Sequence, residues 1–137
     1  MIFRKFINPF QISIIMDKRI VLAGINDPEI LEVFGDICDM MGYTVVEAED
    51  PEDLVQKARL LPHDKCFMDA NYGNGCTADI SIAVRVRQVY VERFGQDISA
   101  RLLTTTGYHE AVLAVRQAGI PLAEKPLELD VLKEFLG

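Results

Sequence analysis

Short apolar segments alternate with amphipathic segments along almost the whole of this chain. The apolar segments have the length of buried strands, and the segments between them carry apolar residues at helical spacing. The predicted strands are 19–25, 43–48, 65–69, 101–106 and 120–124, and the predicted helices are 28–41, 51–61, 77–94, 110–118 and 127–136. Repeated strand–helix units require parallel strands with helices on both faces of the sheet. The sequence therefore predicts an α/β fold with one doubly wound, five-stranded parallel sheet.

Three polar side chains lie at the ends of three of these predicted strands. Asp69 ends the third strand, Thr106 ends the fourth, and Lys125 directly follows the fifth. Because the carboxyl ends of parallel strands meet at one edge of a sheet, the three side chains are expected to lie close together. A carboxylate nucleophile, a hydroxyl donor and a cation can together hold a phosphoryl group. The sequence therefore predicts a phosphoryl site at this edge.

These positions give the chain a resemblance to a known family, the receiver domains of two-component response regulators. The resemblance extends over residues 18–136 and includes Thr106 in a Thr-Gly-Tyr sequence, Lys125 in a Lys-Pro pair, and an Asp-x-Asn loop that begins at Asp69. It implies a flavodoxin-like (βα)5 fold with strand order 2-1-3-4-5. It also implies that Asp69 is the phospho-acceptor, that Thr106 and Lys125 bind phosphoryl oxygens, and that a histidine kinase or phosphotransfer protein is the donor.

The chain departs from the family at the first predicted strand. Receiver domains carry an acidic pair there that holds Mg²⁺, whereas the corresponding positions in this chain are Ile25 and Asn26, or Gly24 and Ile25 in a second alignment. Mg²⁺ prefers an octahedral shell of hard oxygens and usually needs carboxylates to hold it. We therefore expect a weakened Mg²⁺ site formed by Asn26, Asp69 and Asn71, with slow or absent phosphorylation.

A second departure concerns the residue three positions before the lysine. Many receivers carry an aromatic residue there, and its rotation reports phosphorylation. In this chain the position is Leu122, so the familiar coupling between a threonine and an aromatic ring is not expected. Tyr108 is the one nearby substitute, and its simpler interpretation is a loop tyrosine packed on the surface.

The sequence leaves three functions open. The first is a stand-alone atypical receiver, not an enzyme, that acts in phosphorelay signal transduction through protein–protein contacts. The second is a phosphorylation-independent pseudo-receiver scaffold in which Asp69 and Lys125 are structural. The third is a small-molecule or nucleotide binder that uses the crevice at the strand ends. A Gly-x-Gly-x-x-Ala sequence at 73–78 matches a dinucleotide fingerprint, but it follows the third strand instead of the first.

The predicted helix 77–94 is apolar over well more than half of its circumference. Its clean polar strip consists of Arg85, Gln88 and Glu92. A helix that packs on one side of a sheet needs a narrower apolar arc. The pattern therefore predicts a contact with another protein chain around Val84 and Val91, for example in a homodimer, or else burial under the N-terminal segment.

The net charge and the cysteines indicate which partners and which redox compartment the protein has. The net charge of −7 disfavours nucleic acid as a direct partner, because phosphate backbones are bound by basic surfaces. The three cysteines show no metal-ligand spacing and indicate a reducing cytoplasm without disulfides.

The N-terminal residues 1–17 are interpreted as an extension, either from a misassigned start or as a docking segment, that precedes a receiver-like domain at 18–137. Polar residues and a proline interrupt their apolar stretch, which is too short to span a membrane.

Overall fold

The computed structural model describes the backbone of Arg4 and Lys5 and all of residues 19–74 and 77–137. In this part of the chain six parallel strands form one sheet: β1 (Arg4–Lys5), β2 (Arg19–Gly24), β3 (Tyr43–Glu47), β4 (Lys65–Asp69), β5 (Leu102–Thr106) and β6 (Leu122–Glu124). Their order across the sheet is β1-β3-β2-β4-β5-β6. The five predicted strands thus have the predicted order, 2-1-3-4-5, and the fold class is confirmed. Strand β1 adds two residues to the edge beside β3.

Helices follow the strands on both faces of this sheet. The described residues form α1 (Pro28–Met40), α2 (Pro51–Leu60), α3 (Ser81–Phe94), α4 (His109–Gln117) and α5 (Leu129–Leu136). Helices α1 and α2 begin alike, because the side chains of Asp27 and Asp50 accept hydrogen bonds from backbone N–H groups of the first turn. A proline directly follows each of these aspartates, at the first helical position, where the backbone N–H has no partner within the helix. These local signals fix where each helix leaves its strand.

Two hydrophobic cores lie on the two faces of the sheet. One lies under α1 and α5, where Phe34 stacks on Phe67 with ring centroids 4.6 Å apart. The other lies under α2, α3 and α4 and contains the fully buried Tyr90. Successive residues of a strand point to opposite faces, so in β5 Leu102 belongs to the second core and Leu103 to the first. This alternation also determines which face the site residues occupy.

The predicted helix 77–94 begins later than expected, at Ser81. The hydroxyl of Thr77 accepts a hydrogen bond from the Asp79 backbone N–H at 3.2 Å, and a carboxylate oxygen of Asp79 accepts one from the Ser81 N–H at 2.9 Å. Such short-range bonds from side chain to backbone offer the chain an alternative to helical hydrogen bonds. The four residues before Ser81 therefore form turns, and the helical surface proposed as an interface is shorter than predicted.

Some interpretations of the sequence fall outside the described residues. The role assigned to the segment 1–17 is outside them apart from β1, and the glycine-rich sequence 73–78 includes the undescribed Gly75 and Cys76. No helix in the described ranges is both long enough and apolar enough to cross a membrane.

Candidate functional site

Asp69 lies at the carboxyl end of β4 with only 1 % of its surface exposed. Its Oδ2 accepts a hydrogen bond from the Asn26 backbone N–H at 2.6 Å. Its Oδ1 lies 3.1 Å from Nζ of Lys125, an ion pair whose atoms are not aligned as a hydrogen bond. A buried carboxylate needs such compensation, because loss of hydration strongly disfavours a charge. The carboxylate is therefore held between a backbone donor and an ammonium group.

Lys125 reaches Asp69 from β6 by crossing β5, which lies between the two strands. The lysine side chain passes over Gly107, where a Cβ would lie 3.4 Å from Cβ of Lys125, an ordinary van der Waals contact. The lysine backbone N–H continues the sheet ladder by donating to the Thr106 carbonyl at 3.1 Å. Because the lysine side chain is 30 % exposed, its ammonium can face both Asp69 and an incoming anion.

Thr106 ends β5 and is 2 % exposed. Its Oγ1 accepts a hydrogen bond from the Tyr108 backbone N–H at 3.1 Å, which orients the hydroxyl and closes the turn into α4. A hydroxyl that accepts in this way still has its own hydrogen to donate. Thr106 can therefore donate to an oxygen of a bound anion, the role implied by the resemblance.

The predicted metal ligands Asn26, Asp69 and Asn71 all line one cavity. However, Oδ1 of Asn26 already accepts a hydrogen bond from the Gly73 N–H at 3.1 Å, and Asn71 donates from Nδ2 to the Thr77 carbonyl at 3.4 Å. Asn26 therefore links Asp69 to the loop that follows β4, through its backbone N–H on one side and its side chain on the other. Gly73 has a φ of +82°, which favours glycine at the point where this loop approaches Asn26.

These residues do not fit a tightly bound Mg²⁺. Asp69 is the one buried carboxylate of the set, and its two oxygens already contact Asn26 and Lys125. Asp27 also lines the cavity, but its Oδ1 caps α1 by accepting from the Glu29 N–H at 2.8 Å. Within residues 19–74 and 77–137 there is no group of three histidine, cysteine or acidic side chains that could hold a metal.

The cavity above Asp69 has a volume of about 450 Å³ and is open to solvent. Asn26, Asp69, Asn71, Thr106 and Lys125 meet there, so the structure brings together every site residue that the sequence singled out. An ammonium, a hydroxyl and a buried carboxylate on three neighbouring strands can receive a small tetrahedral anion.

The two residues considered for a conformational switch lie in different surroundings. Leu122 is half-buried and packs against the core under α2, α3 and α4. Tyr108 is 37 % exposed, and its hydroxyl donates to Glu110 at 3.4 Å. This geometry agrees with the simpler interpretation of Tyr108 as a surface residue.

Two features of the site were missed by the sequence analysis. Asn26 acts on Asp69 through its backbone N–H, which is a property of every residue type and leaves no trace in the sequence. Thr105 is completely buried, and its hydroxyl has no hydrogen-bond partner. The position of Thr105 next to Thr106 was visible in the sequence, but a threonine in a strand is ordinary.

Several solved structures of the same architecture are described as receiver domains or response regulators. A CheY-like receiver domain protein of Methanospirillum hungatei is 21 % identical, with a TM-score of 0.61 over 87 % of this chain and 93 % of that one. The chemotaxis response regulator CheY4 of Vibrio cholerae is 22 % identical, with a TM-score of 0.61 over 87 % and 96 %. The chain has the receiver fold.

A third receiver structure bears on the metal. The receiver domain of a sensor histidine kinase from Pseudomonas aeruginosa is 18 % identical, with a TM-score of 0.60 over 88 % of this chain and 98 % of that one. It was crystallised with a magnesium ion coordinated in its active-site cleft. No protein-family model matches this chain, and no curated protein matches it by sequence.

Proposed function

We propose that this protein is an atypical receiver that takes up a phosphoryl group on Asp69 and acts in signal transduction through protein–protein contacts. The observation that carries the proposal is the placement of the Lys125 ammonium 3.1 Å from Oδ1 of a carboxylate that is 1 % exposed. The phosphodonor is a histidine kinase or a phosphotransfer protein, as in the systems whose receivers share this fold. These partners place the protein in the cytoplasm.

Oδ1 is the nucleophilic oxygen in this proposal. Oδ2 is engaged by the Asn26 N–H, whereas Oδ1 has no aligned hydrogen bond and lies beside the ammonium. Oδ1 attacks the phosphorus of a phosphohistidine, the P–N bond breaks, and its electron pair stays with the imidazole, which then takes up a proton. Lys125 neutralises charge on the transferred phosphoryl oxygens, and Thr106 donates a hydrogen bond to one of them.

Mg²⁺ would supply further neutralisation of the phosphoryl charge wherever a receiver binds it. Here the oxygens that would hold it are those of Asp69 and Asn26, and both residues are already hydrogen-bonded within the protein. We therefore propose that Mg²⁺ contributes little and that phosphoryl transfer is slow.

A second candidate function, a pseudo-receiver scaffold, is favoured by the contacts of Asn26. Its backbone N–H binds Asp69 and its side chain binds Gly73, so one residue ties the acceptor to the loop that follows it. A loop fixed in this way supports a protein that presents one conformation to its partner. In that case Asp69 and Lys125 serve as a buried ion pair.

The experiment that separates the two functions is the intact mass of the protein after incubation with acetyl phosphate, with Mg²⁺ or with EDTA. We expect a slow gain of one phosphoryl group that depends weakly on Mg²⁺. The Asp69→Asn variant should gain nothing, and Lys125→Met should gain it more slowly than wild type. A wild-type protein that gains no phosphoryl group under either condition would support the pseudo-receiver.

We also propose that the exposed part of α3 contacts a second protein chain, with a homodimer as the first case to test. Val84 is 44 % exposed, whereas Val91 packs partly against the core. The proposed surface therefore centres on Val84 and involves Val91 less than the sequence pattern indicated.

A further inference from the structure

The fully buried hydroxyl of Thr105 has no hydrogen-bond partner among the residues that the structure describes. Native proteins satisfy nearly all buried polar groups, so each exception calls for a physical explanation. Its neighbour Thr104 follows the usual pattern, because it is also fully buried and its hydroxyl donates to the Pro121 carbonyl at 2.8 Å. The two adjacent threonines of β5 are therefore equally buried but differ in hydrogen bonding.

The register of the sheet places Thr105 beside Asp69. Strands β4 and β5 pair Phe67 with Leu103 and Asp69 with Thr105. Phe67 and Leu103 belong to the core under α1 and α5, and residues two positions further along each strand point to the same face. The side chains of Asp69 and Thr105 are thus direct neighbours on one face, on strands about 4.8 Å apart.

Lys125 lies on this face as well. Strand β6 pairs Ala123 with Thr105, and Ala123 packs against the core under α1 and α5. Lys125 follows two residues later, and its ammonium contacts Oδ1 of Asp69. Oδ1 is itself a buried oxygen without a hydrogen bond. A hydroxyl without an acceptor thus lies on the strand beside a carboxylate whose Oδ1 makes an ion pair with Lys125 but no aligned hydrogen bond.

We propose that Thr105 is a hydrogen-bond donor to Oδ1 of Asp69 at the moment when phosphoaspartate is hydrolysed. This proposal rests on the proposed function of Asp69 as phospho-acceptor. In hydrolysis, water attacks the phosphorus, the bond between phosphorus and Oδ1 breaks, and its electron pair returns to Oδ1. The water loses its protons to solvent and to the released inorganic phosphate, and Asp69 becomes a carboxylate again.

The hydroxyl favours this step because the charge on Oδ1 grows as the bond breaks. The bridging oxygen of an acyl phosphate is a weak hydrogen-bond acceptor, whereas a carboxylate oxygen is a strong one. The hydrogen bond from Thr105 is therefore stronger after the bond to phosphorus breaks than before it. A donor that binds the leaving oxygen lowers the barrier to hydrolysis and shortens the phosphorylated state. The sheet register already pairs Thr105 with Asp69, so the donor and the acceptor lie on adjacent strands.

The test compares the lifetime of phosphoaspartate in four forms of the full chain: wild type, Thr105→Val, Thr105→Ser and Thr104→Val. Each protein is phosphorylated with acetyl phosphate, separated from the donor, and followed by intact mass as the phosphoryl group is lost. Thr105→Val keeps the shape of the side chain and removes the hydroxyl, while Thr105→Ser keeps the hydroxyl. Thr104→Val removes an equally buried hydroxyl from the opposite face of the same strand.

We expect Thr105→Val to lengthen the lifetime by about tenfold, the effect of one hydrogen bond to a charged oxygen. Thr105→Ser should have a lifetime close to that of wild type. Thr104→Val should leave the lifetime unchanged but lower resistance to urea, because it leaves the Pro121 carbonyl without its side-chain donor. Thr105→Val should be more resistant to urea than wild type, since it removes a buried hydroxyl that makes no bond.

Equal lifetimes for wild type and Thr105→Val would overturn the proposal and leave Asp69 as the phospho-acceptor. The same conclusion would follow if Thr104→Val lengthened the lifetime as much as Thr105→Val does, because the effect would then come from general loosening of β5. A wild-type protein that gains no phosphoryl group would overturn the proposed function, and this inference with it.

Discussion

The two ends of the sheet contain buried polar groups that are treated in opposite ways. At the amino end of β4, Nδ1 of His63 donates to the Leu61 carbonyl at 2.6 Å, and its Nε2 lies 2.5 Å from the hydroxyl of Tyr90. Since a carbonyl only accepts, Nδ1 carries the proton of the neutral ring and Nε2 accepts from Tyr90. At the carboxyl end, the hydroxyl of Thr105 and Oδ1 of Asp69 make no hydrogen bond.

The difference separates structure from function. A buried polar group without a partner costs about 1–3 kcal/mol, so stability alone favours the fully bonded arrangement at the amino end. At the carboxyl end the Thr105 hydroxyl is completely buried and has no partner among the described residues, while Oδ1 of Asp69 has only the ion pair with Lys125. A buried hydroxyl that lowers stability beside the Asp69 carboxylate is typical of a functional site.

The largest expected effect is at the amino end of the sheet, where the free energy of unfolding should depend on pH through His63. Burial, together with the nearby Arg93, lowers the pKa of His63 from 6.5 to about 4. The unfolded chain therefore binds a proton below pH 6.5 that the folded protein does not bind until about pH 4. The free energy of unfolding is therefore highest above pH 6.5, where His63 is neutral in both states. It falls by about 3 kcal/mol as the pH is lowered to 4.

Urea unfolding of wild type and His63→Gln between pH 4 and 7 measures this dependence. The difference in unfolding free energy between the two should shrink steadily as the pH falls, because glutamine has no proton to gain. His109→Gln is the control, since His109 is exposed at the start of α4. A constant difference across the range would show that the amino-end network is not held by a neutral His63.

The next effect is the loss of the Tyr90 hydroxyl. Tyr90→Phe keeps the buried ring but leaves Nε2 of His63 without its partner, which should lower the unfolding free energy by about 2 kcal/mol. Tyr108→Phe is the matched control: its hydroxyl is at the surface, with one long contact to Glu110 of 3.4 Å. If both variants cost the same, the amino-end network contributes no particular stability.

At the carboxyl end, Asn26→Asp should restore part of a metal site. The new carboxylate lies in the same cavity as Asp69, and a pair of carboxylates is the ligand type that Mg²⁺ prefers. Without Mg²⁺ the variant should be less stable by about 1 kcal/mol, because two like charges then lie close together.

Thermal unfolding with and without Mg²⁺ checks this prediction, with calcium-free buffer and EDTA as the reference. The midpoint of Asn26→Asp should rise with Mg²⁺, while that of wild type should hardly move. Asn26→Ala is the control that loses the contact with Gly73 and adds no charge. A wild-type midpoint that rises as much as that of the aspartate variant would mean that the native residues already hold the metal.

The smallest effect on stability is expected outside both ends, on α3. Val84→Glu changes a residue that is 44 % exposed, so the unfolding free energy should change by less than about 0.5 kcal/mol. If α3 forms an interface, the charge should shift the oligomeric state measured by light scattering. Leu113→Glu on α4, where the leucine is 48 % exposed, is the matched control. An unchanged oligomeric state in Val84→Glu would remove the interface.

The strand ends and the start of α3 show which features of the fold could be predicted from the sequence. The strand ends were predictable because each apolar segment stops at a polar or charged residue. Asp69, Thr106 and Lys125 therefore meet at one edge of the sheet, as expected. The start of α3 was wrong by four residues, because two side-chain hydrogen bonds around Asp79 compete with the helix.

The remaining features depend on tertiary placement. The backbone contact of Asn26 with Asp69 joins residues 43 positions apart, and the bond between His63 and Tyr90 joins residues 27 apart. The partner of His63 is likewise hidden in the sequence, because Tyr90 reaches it from α3. No local pattern encodes such pairs, since each depends on how a helix or loop packs against the sheet.

The most direct test of the account is a titration of the ¹⁵N-labelled protein with beryllofluoride, a mimic of the phosphoryl group, followed by NMR. If the cavity above Asp69 receives a phosphoryl group, the backbone amides of Asn26, Thr106, Gly107 and Lys125 should shift in a saturable way. The Asp69→Asn variant should show no such shifts. An absence of shifts in wild type, or equal shifts in the variant, would contradict the assignment of Asp69 as the acceptor.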